Sequence, residues 1–331
     1  MGSLPRRLIF SLVPVVALFS LAEGGLRMSG YPPEATAPFE HNEPFWIVDA
    51  DQLLEATTHK ELGISFPVST NHDGLRAPLV ELDNTADDWR IMTMGCSTTF
   101  GWGVADDESY PAQLDTLIAD SGQGGVQVIN GGQPGYTSFQ GRWLWDSVLA
   151  DYKPDVVLIG FIVQDARKAA YSDKSQAVLQ GDARFLKDNI LYKLRTYLWL
   201  FERLGAVQIE AKERGQGDDG GTFRVPLKEY GENLQALISA VKASGGTPVL
   251  FGYPLERTGY TKQHRYYIQA TAEHAGVSFF DPQPQMESAS NDSELYFPQD
   301  RGHANAAGNA LIAKWVFDFL RDNALLSEGG S

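Results

Sequence analysis

From residue 89 onward the chain alternates between two apolar patterns. Short apolar runs end at Gly, Asn or Asp, and amphipathic stretches follow them. The short runs Trp89–Met94, Val126–Ile129, Val156–Gly160, Pro248–Phe251 and Val277–Phe280 predict strands. The amphipathic stretches Tyr110–Asp120, Ser138–Ala150, Leu227–Ser244, Lys262–His274 and Asn305–Arg321 predict helices. Five short strands alternating with helices imply a parallel sheet covered on both faces. The expected fold class is α/β, three layers with about five parallel strands in the centre. In such sheets the active groups sit just past the carboxyl ends of the strands.

Other parts of the chain break this rhythm. Residues 28–88 read as an extended lead-in, Pro-rich at 32–38, with edge strands expected around Phe45–Val48 and Ile64–Val68. Residues 89–325 read as the main domain. Residues 166–225 interrupt it with an aromatic, basic-flecked helix (Ile190–Leu204) and a Gly/Asp-rich loop (Arg214–Gly221). An insertion after the third strand lies at the active-site end. It can act as a lid or a membrane-facing surface, or its aromatics can simply pack on the domain.

At the N-terminus, Arg6 and Arg7 precede the apolar run Leu8–Ala22. Positive charge followed by a short apolar segment is how an export signal reads. The run is short for a span of roughly 20 residues, but Gly24, Gly25 and Leu26 extend it with Glu23 as the only charge. Residues 1–27 are thus expected to be a hydrophobic anchor helix in the cytoplasmic membrane, a signal cleaved after Ala22, or a buried structural helix. The first two place the rest of the chain outside the cytoplasm, because the positive flank stays inside.

Charge narrows the partners. A net charge of -15 argues against a nucleic-acid surface, which needs clustered Lys and Arg. It leaves room for a local basic site suited to an acidic glycan. Cys96 is the only cysteine, so there is no intrachain disulfide. The histidines at 41, 59, 72, 264 and 274 show no recognisable metal-ligand spacing.

Four constellations fall at the predicted strand ends. Ser97 lies in Gly95-Cys96-Ser97-Thr98-Thr99-Phe100-Gly101, directly after the first strand. A serine there presents its hydroxyl beside helix N–H groups that favour a developing oxyanion. It is equally the pattern of a plain helix N-cap. In Asp300-Arg301-Gly302-His303 the spacing lets the carboxylate reach one imidazole nitrogen while the other points outward. An ordinary surface histidine beside a turn-capping Asp fits the same letters. Asn130–Thr137, with Gly135, ends the second strand, and Gln164-Asp165 follow the third. Either can donate into a pocket or form an ordinary turn.

The order of these blocks resembles the SGNH (GDSL-like) hydrolase superfamily, named for Ser, Gly, Asn and His in four blocks with an Asp three residues before the His. Gly95, Ser97 and Gly101 match the first block, Asn130 and Gly135 the second, Asp300 and His303 the last. The resemblance spans about residues 89–325 and implies the flavodoxin-like SGNH fold. The N-terminal run into Glu23-Gly24-Gly25-Leu26-Arg27, the segment Asn71–Arg76 and the aromatic insertion look like the membrane-anchored bacterial branch. Two positions depart from the pattern. Cys96 stands where the family usually has Asp before the serine, and Gln164 stands where it usually has the oxyanion-hole Asn, with Ile162 in place of the preceding Gly.

The resemblance implies a Ser97–His303–Asp300 triad and an oxyanion hole from the Ser97 and Gly135 N–H groups and the Gln164 side chain. No metal or cofactor is needed. It also suggests an ester substrate, foremost O-acetyl groups on an extracytoplasmic polysaccharide. Phe100, Trp102, Tyr136 and Phe161 are candidates to stack on sugar rings, with core packing as the default. The alternatives are a lipase or lysophospholipase, a glycan O-acetyltransferase, or a weakly active glycan-binding protein that keeps the fold.

Overall fold

The computed structural model describes residues 4–30, 47–48, 50–51, 53–59, 63–169, 172–175, 194–197, 199–200, 221–256, 258–290, 294–298 and 300–326. The chain divides into two compact units. One comprises Met1–Pro44 and Ala169–Gly221, the other Phe45–Lys168 and Thr222–Ser331.

In the first unit, α1 (Leu4–Met28) carries the N-terminal apolar run and has Pro14 inside it. Among the described residues no helix is long and apolar enough to cross a membrane. The side chains of Val16, Leu18, Phe19 and Leu21 are more than half exposed. Glu23 accepts hydrogen bonds from the Arg195 and Thr196 N–H groups and the Thr196 hydroxyl, and pairs with Arg27. These donors, the Thr196 N–H foremost, pull its carboxyl down to about 2. Most of the expected helix Ile190–Leu204 and of the loop Arg214–Gly221 lies outside the described residues.

The second unit begins with an antiparallel pair, β1 (Leu53–His59) and β2 (Ile64–Ser69). The second expected edge strand is therefore present. The first is displaced: Ile47 and Val48 are not in a strand, Phe45 and Trp46 lie outside the described residues, and β1 takes the pairing role. Val48 instead donates its N–H to the Gln133 side chain, and Asp51 donates its own to the Asn71 carbonyl.

There follow, in chain order, β3 (Trp89–Gly95), α2 (Ser97–Phe100), α3 (Tyr110–Asp120), β4 (Val126–Gly132), α4 (Ser138–Ser147) and β5 (Val156–Ile159). Next come the short pair β6 (Lys168–Ala169) and β7 (Thr222–Phe223), then α5 (Leu227–Ala243), β8 (Thr247–Phe251), α6 (Lys262–Ala275) and β9 (Ser278–Phe280). The chain ends with α7 (Gln283–Ala289), the hairpin β10 (Tyr296–Phe297) and β11 (Asp300–Ala304), and α8 (Ala306–Asp322).

The central sheet has five parallel strands in the order β4-β3-β5-β8-β9. Side chains alternate between its faces, as the period of two requires. Met92, Met94, Val157 and Ile159 pack with Leu144, Tyr230, Leu234 and Ile268 of α4, α5 and α6. Ile91, Val156 and Leu158 pack with Leu114 and Ile118 of α3 and Ile312 and Val316 of α8. Both faces are covered, so strands without polar alternation are stable here. Each such fully buried side chain contributes about 1.5–3 kcal/mol relative to exposure.

The topology also sets the site. β3 is the first strand of the sheet in the chain, with β4 on one side of it and β5 on the other. At that reversal the loops diverge and leave a crevice beyond the carboxyl ends of β3 and β5.

Candidate active site

Ser97 opens α2 immediately after β3 and is 6% exposed. Cys96 is the N-cap, in extended backbone, and its sulfur faces the Thr98 hydroxyl at 3.3 Å. It packs in the core beneath the turn rather than beside the serine hydroxyl. β4 runs so close to this turn that a Cβ at Gly132 would lie 2.4 Å from the Phe100 nitrogen. Only hydrogen fits at that position.

From below, Arg76 clamps the same turn. Its fully buried guanidinium donates to the carbonyls of Phe100, Gly101 and Val104, to Pro67, and to the Asp106 carboxylate at 2.8 Å. It also stacks 4.9 Å from the centroid of the Phe100 ring. Burial lowers its pKa, and Asp106 opposes that shift. The segment Asn71–Arg76 was part of the family resemblance. What Arg76 does was not legible, because its acceptors are carbonyls scattered over 38 residues, Pro67 to Val104.

Asp300 and His303 lie on β11, in a hairpin rather than an isolated turn. A register irregularity in that hairpin, between Tyr296 and Phe297, accompanies the pairing of Phe297 with Asp300. His303 Nδ1 is 2.6 Å from Asp300 Oδ2, and Nε2 is 2.8 Å from Ser97 Oγ. A carboxylate only accepts, so Nδ1 carries the proton and donates. Nε2 is then the acceptor for the serine hydroxyl. The other carboxylate oxygen, Asp300 Oδ1, accepts from the Gly302 N–H at 3.1 Å. Beyond the hairpin, the Asn305 side chain caps α8 by accepting from the Gly308 N–H.

Gly135 follows β4 with φ of 79°, a left-handed conformation open to glycine. The N–H groups of Ser97 and Gly135 enter no intramolecular hydrogen bond among the described residues. Gln164, after β5, is 8% exposed. Its Oε1 accepts from Arg224 Nη1 at 3.0 Å, and the same nitrogen donates to the Gly135 carbonyl at 2.9 Å. Arg224 Nη2 reaches Gln140 Oε1 at 3.3 Å. A guanidinium has only donors, so the Gln164 oxygen must face Arg224 and its NH2 group faces elsewhere. Arg224 was missed at sequence level. It lies in Thr222-Phe223-Arg224-Val225-Pro226, 60 residues from Gln164, and no local spacing marks it. The neighbouring Asp165 is buried and holds α4 through the Ser138 N–H and hydroxyl.

The aromatic candidates are corrected. Phe100, Tyr136 and Phe161 are at most 1% exposed and sit in the core, so none has a ring face to offer a sugar. Trp102 is partly buried and packs edge-on against Phe66 at 5.2 Å between centroids. His72 is exposed and pairs with Asp51, which raises its pKa.

The described geometry defines a class: a doubly wound α/β protein with a Ser–His–Asp hydrogen-bonded relay at the switch point of its sheet. The model of the GDSL-like Lipase/Acylhydrolase family matches residues 94–311, and the chain belongs to that family. No curated protein matches it. Among solved structures it is similar to the lipase/acylhydrolase from Enterococcus faecalis, with 17% identity, 71% of this chain and 96% of that chain covered, and a TM-score of 0.49. It is also similar to the psychrotrophic esterase EstA from a Pseudoalteromonas species (18% identity, 72% and 100% covered, TM-score 0.47). A third is an acetylxylan esterase from Geobacillus stearothermophilus (18% identity, 71% and 93% covered, TM-score 0.47).

Proposed function

We propose that the protein is a serine esterase that removes acyl groups, foremost O-acetyl, from a polysaccharide outside the cytoplasm. The observation that carries this reading is the continuous Ser97–His303–Asp300 relay, with contacts of 2.8 and 2.6 Å. In the proposed reaction His303 Nε2 takes the Ser97 proton as Oγ attacks the ester carbonyl. Asp300 holds the tautomer and stabilises the imidazolium. The tetrahedral oxyanion is received by the Ser97 and Gly135 N–H groups and by the NH2 group of Gln164. His303 then protonates the leaving alcohol. Water, activated by the same imidazole, releases the acid from the acyl-enzyme.

Arg224 supports the role given to Gln164. The extra methylene of Gln over Asn loosens the amide, and a donor-only partner on its oxygen restores one orientation. For the N-terminus we retain the anchor reading. Arg6 and Arg7 precede an apolar run that folds as a helix, and several of its apolar side chains are exposed. That run would hold the catalytic unit outside the cytoplasmic membrane. Alkaline extraction of membranes tests this: full-length protein should stay with the lipid and residues 28–331 should not.

The esterase reading is tested with p-nitrophenyl acetate and longer-chain esters, comparing wild type with Ser97→Ala and His303→Ala. Each variant should lose activity by a factor on the order of 10⁴–10⁶. Preference for acetyl would support the deacetylase reading. Retained hydrolysis in either variant of a folded protein would refute the proposed mechanism.

A further inference from the structure

A pocket of about 420 Å³ opens on the Asp300 side of the relay. That volume is ordinary for a small-molecule site. Asp300 and Gly302 of β11 form one wall, and Arg167, in the loop that carries Gln164, forms another. The backbone of Arg167 is fixed on both sides. Its N–H donates to the Gln164 carbonyl, and its carbonyl accepts from the Arg224 N–H. The pocket therefore adjoins both the relay and the amide loop.

Most of its polar walls are already engaged. Asp300 is held by His303 and the Gly302 N–H, and Arg301 is paired with Glu256. The Lys168 ammonium sits over the Phe223 ring. Two groups differ. The exposed Arg167 guanidinium has no hydrogen-bond or ion-pair partner among the described residues. Tyr260, 45% exposed, has neither a partner for its hydroxyl nor a ring or cation against its face among them. Yet its backbone is fixed, because the next residue, Thr261, is fully buried and donates its hydroxyl to the Thr258 carbonyl. An aromatic ring presented on a fixed turn costs little to order when a ligand binds. Desolvation pushes the Tyr260 hydroxyl up to about 12, with Arg167 opposing and Asp300 reinforcing the shift, so it keeps its proton as a donor.

These features select among ligands. An acyl chain gains from apolar walls, and apart from Tyr260 only Ala166 and Leu255 supply them here. A polyanion needs several uncommitted cations, and Arg301 is already paired. A neutral sugar needs one open aromatic face for its C–H side and donors for its hydroxyls. Tyr260 offers the face and a proton, and Arg167 offers further donors. We infer that this pocket is a subsite for a neutral sugar ring, stacked on Tyr260 with its hydroxyls toward Arg167. Tyr260 is then a specificity-determining residue for an ester carried on a glycan rather than on a lipid. The inference deepens the esterase reading and rests on it for the adjoining ester.

The test uses the intact chain. Calorimetry measures binding of unacylated xylohexaose and cellohexaose, and kinetics follow acetylated xylotriose, p-nitrophenyl acetate and p-nitrophenyl octanoate. At least one hexaose should bind, with little dependence on salt. Tyr260→Ala should weaken that binding about 10-fold and raise KM for the acetylated triose by a similar factor, with kcat nearly unchanged. Its hydrolysis of p-nitrophenyl acetate should stay within about twofold of wild type, because Tyr260 makes no hydrogen bond to the relay. Tyr260→Phe keeps the ring and should bind the hexaose within about threefold of wild type. Arg167→Gln should weaken binding by a smaller factor than Tyr260→Ala, about threefold. If neither hexaose binds, if Tyr260→Ala binds equally well, or if its loss falls on the octanoate ester instead, the sugar subsite is wrong. If a hexaose binds through Tyr260 but the folded wild type hydrolyses no ester, the esterase reading fails and the sugar subsite stands.

Discussion

The two sides of the candidate site are built differently. On the Ser97 side, position is imposed by backbone and burial. Gly132 lets β4 press against α2, and a fully buried Arg76 gathers three carbonyls of the loop that follows the serine. On the Gln164 side, position depends on side-chain hydrogen bonds from a single partly buried arginine. Backbone constraint tolerates almost no change in residue type. Side-chain constraint tolerates a change if the partner adjusts. The chain departs from the pattern it resembles on both sides, at Cys96 and at Ile162 and Gln164, and on the second side Arg224 stands against the Gln164 oxygen.

The largest effect should come from the relay that joins the two sides. Asp300→Asn leaves the shape but presents an NH2 or a neutral oxygen to Nδ1, and kcat should fall by about 10,000-fold. A value within tenfold of wild type would mean that the 2.6 Å contact is structural only. Next comes the backbone-held side. Arg76→Met removes the guanidinium donors to five buried or partly buried acceptors and should cost about 3–5 kcal/mol in denaturant unfolding. A loss under about 1 kcal/mol, within the range of an exposed ion pair, would erase the contrast drawn above.

On the side-chain-held side, Gln164→Ala should lower kcat by about 100- to 1000-fold with stability little changed, as loss of one oxyanion donor does. Gln164→Asn, one methylene shorter, separates the roles of reach and chemistry: partial activity is expected. Arg224→Met should lower kcat roughly 10- to 100-fold through misplacement alone, with less effect on KM. An unchanged kcat would show that Gln164 needs no support.

The smallest effect is on stability against pH. His264 is fully buried between Phe223 and Tyr230, and its Nε2 lies 2.9 Å from the Val225 carbonyl. Burial lowers its pKa below the ordinary 6.5. The unfolded chain therefore takes up this proton first as pH falls. The stability present above the ordinary value is lost between there and the lowered native value. His264→Leu should reduce stability at neutral pH, yet flatten its fall as pH drops below 6.5. An unchanged slope would assign acid sensitivity to the carboxylates instead.

Most of the scaffold was legible because local pattern and tertiary environment agree. All five central strands and the five expected helices lie within a few residues of their expected positions, while the short helices α2 and α7 were not expected. The exceptions are informative. β1 has the sequence LLEATTH, without clean alternation, and is a strand only because β2 pairs with it. The helix expected at Ser138–Ala150 stops at Ser147, where Val148 leaves helical geometry and a tighter turn, Leu149–Tyr152, takes over.

Local pattern alone carries the order of strand, turn and helix, and with it the placing of Ser97, Gly135 and Gln164 each after a strand. Period and turn chemistry are local properties that a chain carries without its fold. It also puts Asp300 and His303 within reach of each other, since only Arg301 and Gly302 stand between them. Which of these groups meet is set by the packing of the fold. Ser97 and His303 are 206 residues apart, and their 2.8 Å contact exists because β3 ends beside the hairpin. The clamps Arg76 and Arg224 and the burial of Phe100, Tyr136 and Phe161 belong to the same category. Each depends on distances between segments remote in the chain, set by packing on the two faces of the sheet and not by any residue's neighbours in sequence.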